Sequence, residues 1–127
     1  MKRLCLPFLV AALGLGLAGC TDHSKDEKTI RTLVNQFALE RGPHACDLFT
    51  NVALVRIYGN GHPERAKANC VAASKKFRGA PIKITNIHWT DNTDAKVSAT
   101  DPTSKTGYTV TVVKFGRRWR IDDIARA

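Results

Sequence analysis

The hydrophobic period of this 127-residue chain changes once, at Gly79-Ala80-Pro81, and that change limits the fold more than any other feature. Before it, apolar residues recur at helical spacing. Ile30, Leu33, Val34, Phe37 and Ala38 form one stripe, and Ala45, Cys46, Phe49, Val52, Ala53 and Ile57 form a second. Cys70, Ala73 and Phe77 share a face of a third, alanine-rich stretch from Glu64 to Phe77. After it the period is two. Ile82 and Ile84 alternate with Lys83 and Thr85, then Ile87 and Trp89 with His88, and the phase slip between Ile84 and Ile87 predicts a bulge. Ala95, Val97 and Ala99 alternate next, then Tyr108, Val110 and Val112, and finally Trp119-Arg120-Ile121. Helices followed by strands joined through short turns predict an α+β domain: three N-terminal helices on one face of a four-stranded antiparallel meander.

Local chemistry marks the boundaries. Ser24-Lys25-Asp26-Glu27 has the form of a capping box ahead of the first stripe, and Gly42-Pro43 supplies a stop. Thr50 is placed to cap a fresh turn, so residues 44–58 read as one helix or as two short ones. Gly59-Asn60-Gly61 ends that region and Pro63 suits the first turn of the next helix. Asp91-Asn92-Thr93-Asp94, Asp101-Pro102-Thr103-Ser104 and Gly116 mark the turns between strands.

The N-terminus follows different rules. Lys2 and Arg3 precede an apolar run from Leu4 to Ala18, which is too short to span a bilayer and ends in small residues, as secretory signal peptides do. Leu17-Ala18-Gly19-Cys20 resembles the lipobox of bacterial lipoproteins. That resemblance implies a diacylglyceryl group on the Cys20 sulfur and cleavage just before it. The expected organisation is a signal peptide over 1–19, a lipidated tether over 20–25 and a domain over 26–127. The expected address is the outer face of a bacterial cell membrane; Thr21 after Cys20 is compatible with outer-membrane sorting where two membranes exist. Four extended tether residues reach roughly 14 Å, so the domain should sit close to the head groups.

Charge and cysteine usage follow from that address. Removing Lys2 and Arg3 from 20 basic residues leaves 18 against 11 acidic ones, a mature formal charge of +7. The excess suits anionic lipid, an envelope polymer or an acidic partner; an exported chain rarely meets nucleic acid. Cys5 leaves with the signal and Cys20 is taken by lipid. Cys46 and Cys70 remain as a pair in an oxidising compartment, where a disulfide would tie the second helical region to the third.

The helices, the strands and the closing Phe115-Gly116-Arg117-Arg118-Trp119-Arg120-Ile121-Asp122-Asp123 together resemble the nuclear-transport-factor-2-like superfamily. Its small extracytoplasmic lipoproteins have a final strand of the form Gly-basic-Trp-basic-Ile-Asp, and pair cysteines at similar places. The resemblance covers roughly residues 26–125. It implies a curved sheet wrapped around the long helix as a cone. The open end is a pocket in ketosteroid isomerase and polyketide cyclases, and is filled or unused in other members, so fold alone leaves function open.

Candidate chemistry is sparse. His44 and Asp47 lie three apart on one helical face, as a base and its orienter or as a surface pair at a helix start. His88 points away from Ile87 and Trp89. Asp122 and Asp123 point to opposite faces of a strand and cannot share a proton, with Arg117, Arg118 and Arg120 as expected partners. His44, Cys46, His62 and Cys70 are zinc-ligand types, but their spacing matches no common structural site, so no metal or other cofactor is expected. Trp89 and Trp119 read as core or as a stacking platform. Arg117, Arg118 and Arg120 are candidates for contact with an anionic surface. Leu33, Phe37, Ile84, Val97, Val110 and Val112 are expected to line the cone, all apolar. The expectation is a non-catalytic binding or interaction module for an apolar ligand or an envelope protein partner. The alternatives are a small isomerase- or cyclase-like enzyme, and a purely structural accessory of a membrane protein.

Overall fold

The structure, a computed structural model, describes residues 22–40 and 42–127. The expected signal peptide, and Cys20 and Thr21 of the expected tether, lie outside the described residues. An α+β architecture is observed: helices in the first half of the chain, then a four-stranded antiparallel sheet in the order β1-β2-β3-β4.

Helix α1 (Ser24–Leu39) buries Ile30, Leu33, Val34 and Ala38, the stripe its spacing predicts. Its start differs from expectation. His23 is the capping residue and its side chain makes no cap hydrogen bond, so Ser24 is already the first helical residue. Glu27 is thereby moved past the position a capping box requires. It accepts from Arg31 at 2.9 Å instead, while Asp22 Oδ1 accepts from the Ser24 N–H at 2.9 Å.

Residues 44–58 resolve into two pieces. A 3-10 segment, Pro43–Leu48, follows Gly42, whose φ of 90° turns the chain after α1. Thr50 then caps α2 (Asn51–Tyr58), its hydroxyl oxygen accepting from the Ala53 N–H at 3.0 Å. The break exists because Phe49 and Thr50 are extended and run beside the last strand, where the Thr50 N–H donates to Ile121 O at 2.8 Å. A second 3-10 turn, Pro63–Arg65, precedes α3 (Ala66–Lys76). Cys46 and Cys70 are joined, with Cα atoms 6.0 Å apart.

Glycine is needed where the chain leaves α3 for the sheet. A Cβ on Gly79 would stand 2.7 Å from Leu39 O and 2.9 Å from Ala38 O, closer than real Cβ contacts allow. The backbone therefore passes against the end of α1, and the Ala80 N–H donates to Ala38 O at 3.1 Å.

The strands are β1 (Lys83–Trp89), β2 (Asp94–Thr100), β3 (Gly107–Phe115) and β4 (Arg118–Arg126). Ala95, Val97, Ala99, Val110, Val112, Trp119 and Ile121 form the buried inner face against Ile30, Leu33, Val34, Phe49 and Leu54. The bulge read from Ile84 and Ile87 is present, as a register shift between Ile84 and Asn86. A second, unexpected one lies in β4: Thr111 pairs with Asp123 and Val112 with Ile121, leaving Asp122 as the extra residue. Strand β4 also runs on to Arg126, well past Ile121. The Phe49–Thr50 segment and α2 cover part of its outer edge, hiding backbone groups that would otherwise invite another strand.

Candidate ligand-binding site

One end of the domain gathers the C-terminal turn of α1, the stretch between α3 and β1, the β2–β3 turn, the first half of β3 and the last half of β4. They enclose a cavity of about 250 Å³ lined by Phe37, Ala38, Phe77, Arg78, Ala80, Ile82, Asp101, Tyr108, Val110 and Ile124. Most of this lining is apolar. Phe37 and Phe77 stack with ring centres 6.4 Å apart and form a wall. Behind that wall is a smaller hollow of about 130 Å³ bounded by Phe49, Tyr58, Cys70 and Ser74. Phe49 meets Phe37 and Tyr58 edge to face, at 5.3 and 6.0 Å. Phe77 is 43% exposed, so the wall is held firmly on the Phe37 side and loosely on the other.

Asp101, Arg78 and Tyr108 are the ionisable groups of the cavity lining. Asp101 caps its own turn: Oδ2 accepts from Ser104 Oγ at 2.8 Å and Oδ1 from the Thr103 N–H at 2.7 Å. These bonds, that from the Ser104 hydroxyl first, hold its carboxyl below the usual range. A general base in an apolar site needs the opposite displacement. Burial raises the Tyr58 phenol in the smaller hollow, which makes it a weaker acid. Arg78 is exposed and enters no ion pair among the described residues, so it is free to meet an anionic group on a ligand.

The residues expected to line a cone divide into two sets. Phe37 and Val110 do line the cavity. Leu33, Val97 and Val112 are buried in the packed core, and Ile84 is partly buried against it. Ala80, Ile82, Phe77, Tyr108 and Ile124 were not anticipated. The alternation of Ile82 with Ile84 held a signal for one of them, whereas Ile124 follows the β4 bulge, which breaks the alternation that would have identified it.

The remaining candidates are placed as follows. His44 Nδ1 stands 3.9 Å from Asp47 Oδ2, both side chains mostly exposed, and Lys67 donates to Asp47. The Lys67 hydrogen bond, then its charge, lowers the Asp47 carboxyl. His62 pairs with Glu64 at 3.2 Å. Among the described residues, no three His, Cys, Asp or Glu side chains come together as metal ligands. His88 is exposed. The partners expected for Asp122 and Asp123 are not the observed ones. Because Asp122 is the extra residue of the bulge, its carboxylate reaches Thr50, whose hydroxyl donates at 2.7 Å. Asp123 takes Arg56 of α2 at 3.0 Å. Arg117, Arg118 and Arg120 enter no ion pair with either. They line a shallow basic groove that runs along α1 from Gln36 to Lys28 and reaches the β3–β4 turn at the opposite end of the domain from the cavity.

That opposite end also holds the tryptophans. Trp119 is 3% exposed and belongs to the core. Its indole N–H donates to Asp26 Oδ1 at 3.0 Å, and Lys114 Nζ donates to both Asp26 oxygens at 3.0 and 2.9 Å. The indole bond first, then Lys114, holds the Asp26 carboxyl below its ordinary value. Trp89 packs edge-on to Trp119 at 5.7 Å and is covered by the ring of His23, stacked at 3.9 Å. Comparison with protein-family models, with curated proteins and with solved structures finds no match to the chain.

Proposed function

We propose that the chain is a bacterial lipoprotein, cleaved before Cys20 and acylated there, whose domain lies outside the cytoplasm and binds an apolar ligand without transforming it. The cavity walled by Phe37 and Phe77 is the observation that carries this reading. Apolar side chains make its walls, and Arg78 is a cation available to an anionic head group. Displaced carboxylates across the described residues (Asp22, Asp26, Asp47, Asp91, Asp101) are all pushed down, which favours stable ion pairs and turns over acid–base work. The finer fold proposed is the nuclear-transport-factor-2-like one, supported by helices on one face of a four-stranded meander and by a cavity at one end of it.

A second reading, an accessory to a membrane-protein partner, has its own support on the outer face of the sheet. Lys83 and Thr85 are exposed there, and Thr109 and Thr111 are half-buried. Isolation of the protein from bacterial envelopes, followed by intact mass and extraction of bound lipid, tests the first reading. An acylated Cys20 with a stoichiometric apolar ligand supports it; an unmodified mature chain overturns the anchoring.

A further inference from the structure

The two ends of the domain differ in a way that fixes how an anchored molecule stands on its membrane. The chain enters the described domain at Asp22 and His23, and these are pinned to one end of the sheet. His23 stacks on Trp89 at the end of β1, and Asp26 is held by Lys114 and Trp119 at the β3–β4 turn. Two residues, Thr21 and Asp22, separate Cys20 from His23, a reach of at most roughly 11 Å. At this same end the β3–β4 hairpin projects Phe115, 63% exposed, beside Gly116, whose φ of 59° makes the tight turn. Arg117 and Arg118 follow it, both exposed, and with Lys28 and Arg120 they ring the shallow groove. An aromatic ring at a hairpin tip, flanked by arginines that enter no ion pair among the described residues, suits the boundary between acyl chains and anionic head groups. The carboxylates at this end are engaged elsewhere. Asp26 is paired as above, and Asp91 and Asp94 accept from the Thr93 hydroxyl in the neighbouring β1–β2 turn, where Thr93 O accepts from the Lys114 N–H at 2.7 Å.

We infer that the Phe115–Arg118 hairpin is a second membrane contact beside the lipid anchor, inserting Phe115 among the acyl chains and setting Arg117 and Arg118 on anionic head groups. The domain then stands with its sheet upright, and the Phe37–Phe77 cavity, whose Val110 and Tyr108 lie five and seven residues back along β3 or roughly 17–23 Å from Phe115, opens away from the membrane. The tether decides between the ends, since the cavity end also exposes Phe77 and carries Arg78. A ligand would therefore be taken from the envelope space or from a facing surface, and not from the bilayer that holds the protein. This orientation rests on acylation of Cys20.

The test uses the full chain, expressed with its signal, purified from membranes and reconstituted into vesicles of phosphatidylglycerol and phosphatidylcholine with brominated acyl chains. Phe115→Trp and Thr103→Trp, the latter on the β2–β3 turn at the cavity end, are each compared with wild type so that emission from Trp89 and Trp119 is subtracted. The added emission should be quenched in Phe115→Trp and unchanged in Thr103→Trp. Loss of the quenching with Arg117→Gln and Arg118→Gln combined, or in vesicles lacking phosphatidylglycerol, would assign it further to the arginines. Intact mass on the same samples reports Cys20 separately. An acylated Cys20 with no quenching in Phe115→Trp, or with equal or greater quenching in Thr103→Trp, overturns the orientation alone. An unmodified Cys20 overturns the anchor and the orientation with it.

Discussion

Replacing Asp26 probes how the N-terminal helix is fastened to the sheet. The carboxylate accepts three hydrogen bonds, one from the buried Trp119 indole and two from Lys114, residues 93 and 88 positions away in sequence. Asp26 and Lys114 side chains are each 27% exposed, so solvent screens the pair in part. Hydrogen bonds to charged groups contribute ~1.5–3 kcal/mol, and a buried donor left unpaired costs ~1–3 kcal/mol. Asp26→Asn keeps an acceptor for the indole and loses the charge; about 1–2 kcal/mol of destabilisation follows. Asp26→Ala also orphans the indole N–H, and about 2–3 kcal/mol follows. For a domain of this size these correspond to falls in Tm of roughly 5–10 °C and 10–20 °C. The pH dependence supplies the sharper check. The folded pKa of Asp26 lies below its ordinary 3.8, so the folded state binds fewer protons than the unfolded one as Asp26 titrates. Its contribution is complete above the unfolded pKa and is lost as pH falls through the folded one. Urea unfolding from pH 7 to pH 2 should therefore show wild type and Asp26→Asn converging below pH ~4. A gap that persists undiminished to pH 2, or a neutral-pH loss under ~0.5 kcal/mol, would refute the attribution to this charged cluster.

Further expectations concern the rest of the frame. Reducing Cys46–Cys70, or replacing both by serine, removes a link spanning 24 positions, and loop-closure entropy puts the loss near ~3.5 kcal/mol; melting curves with and without reductant that coincide would contradict this. Thr50→Ala removes the cap of α2 and the partner of Asp122, so unfolding free energy should fall by about 1–2 kcal/mol, while Thr50→Ser should recover most of it. Gly79→Ala forces a Cβ against the carbonyls of Ala38 and Leu39; it should destabilise by about 1–3 kcal/mol in chemical denaturation, and an unchanged unfolding curve would contradict the close approach.

The legible part of this fold is the part written in apolar spacing. The α1 stripe and the β1 bulge were readable because Ile30–Ala38 and Ile84–Ile87 carry apolar residues on both sides of each feature. The β4 bulge falls on Asp122-Asp123, which has no apolar phase to slip, and so it was invisible. Its consequences were lost with it: the bond from Thr50, the true partner Arg56, and the placement of Ile124 in the cavity wall. The capping box failed for a long-range reason. Asp26 answers to Trp119 and Lys114, and the helix begins where those contacts put it. The cavity was half-legible. Phe37 and Val110 follow from helix and strand faces, but Ala80 and Ile82 line it because the backbone passes against α1 at Gly79, a close approach that no local pattern records.

The central claim is a ligand-binding cavity between the end of α1 and the sheet, and titration of a fluorescent fatty acid tests it most directly when wild type is compared with Ala80→Leu. Ala80 is only partly buried, so leucine there fills the space without crowding the core. Wild type should bind one equivalent, Ala80→Leu should lose most of that binding, and the two should melt within a few degrees of each other. Absence of binding to wild type, or equal binding by both proteins, would contradict the claim.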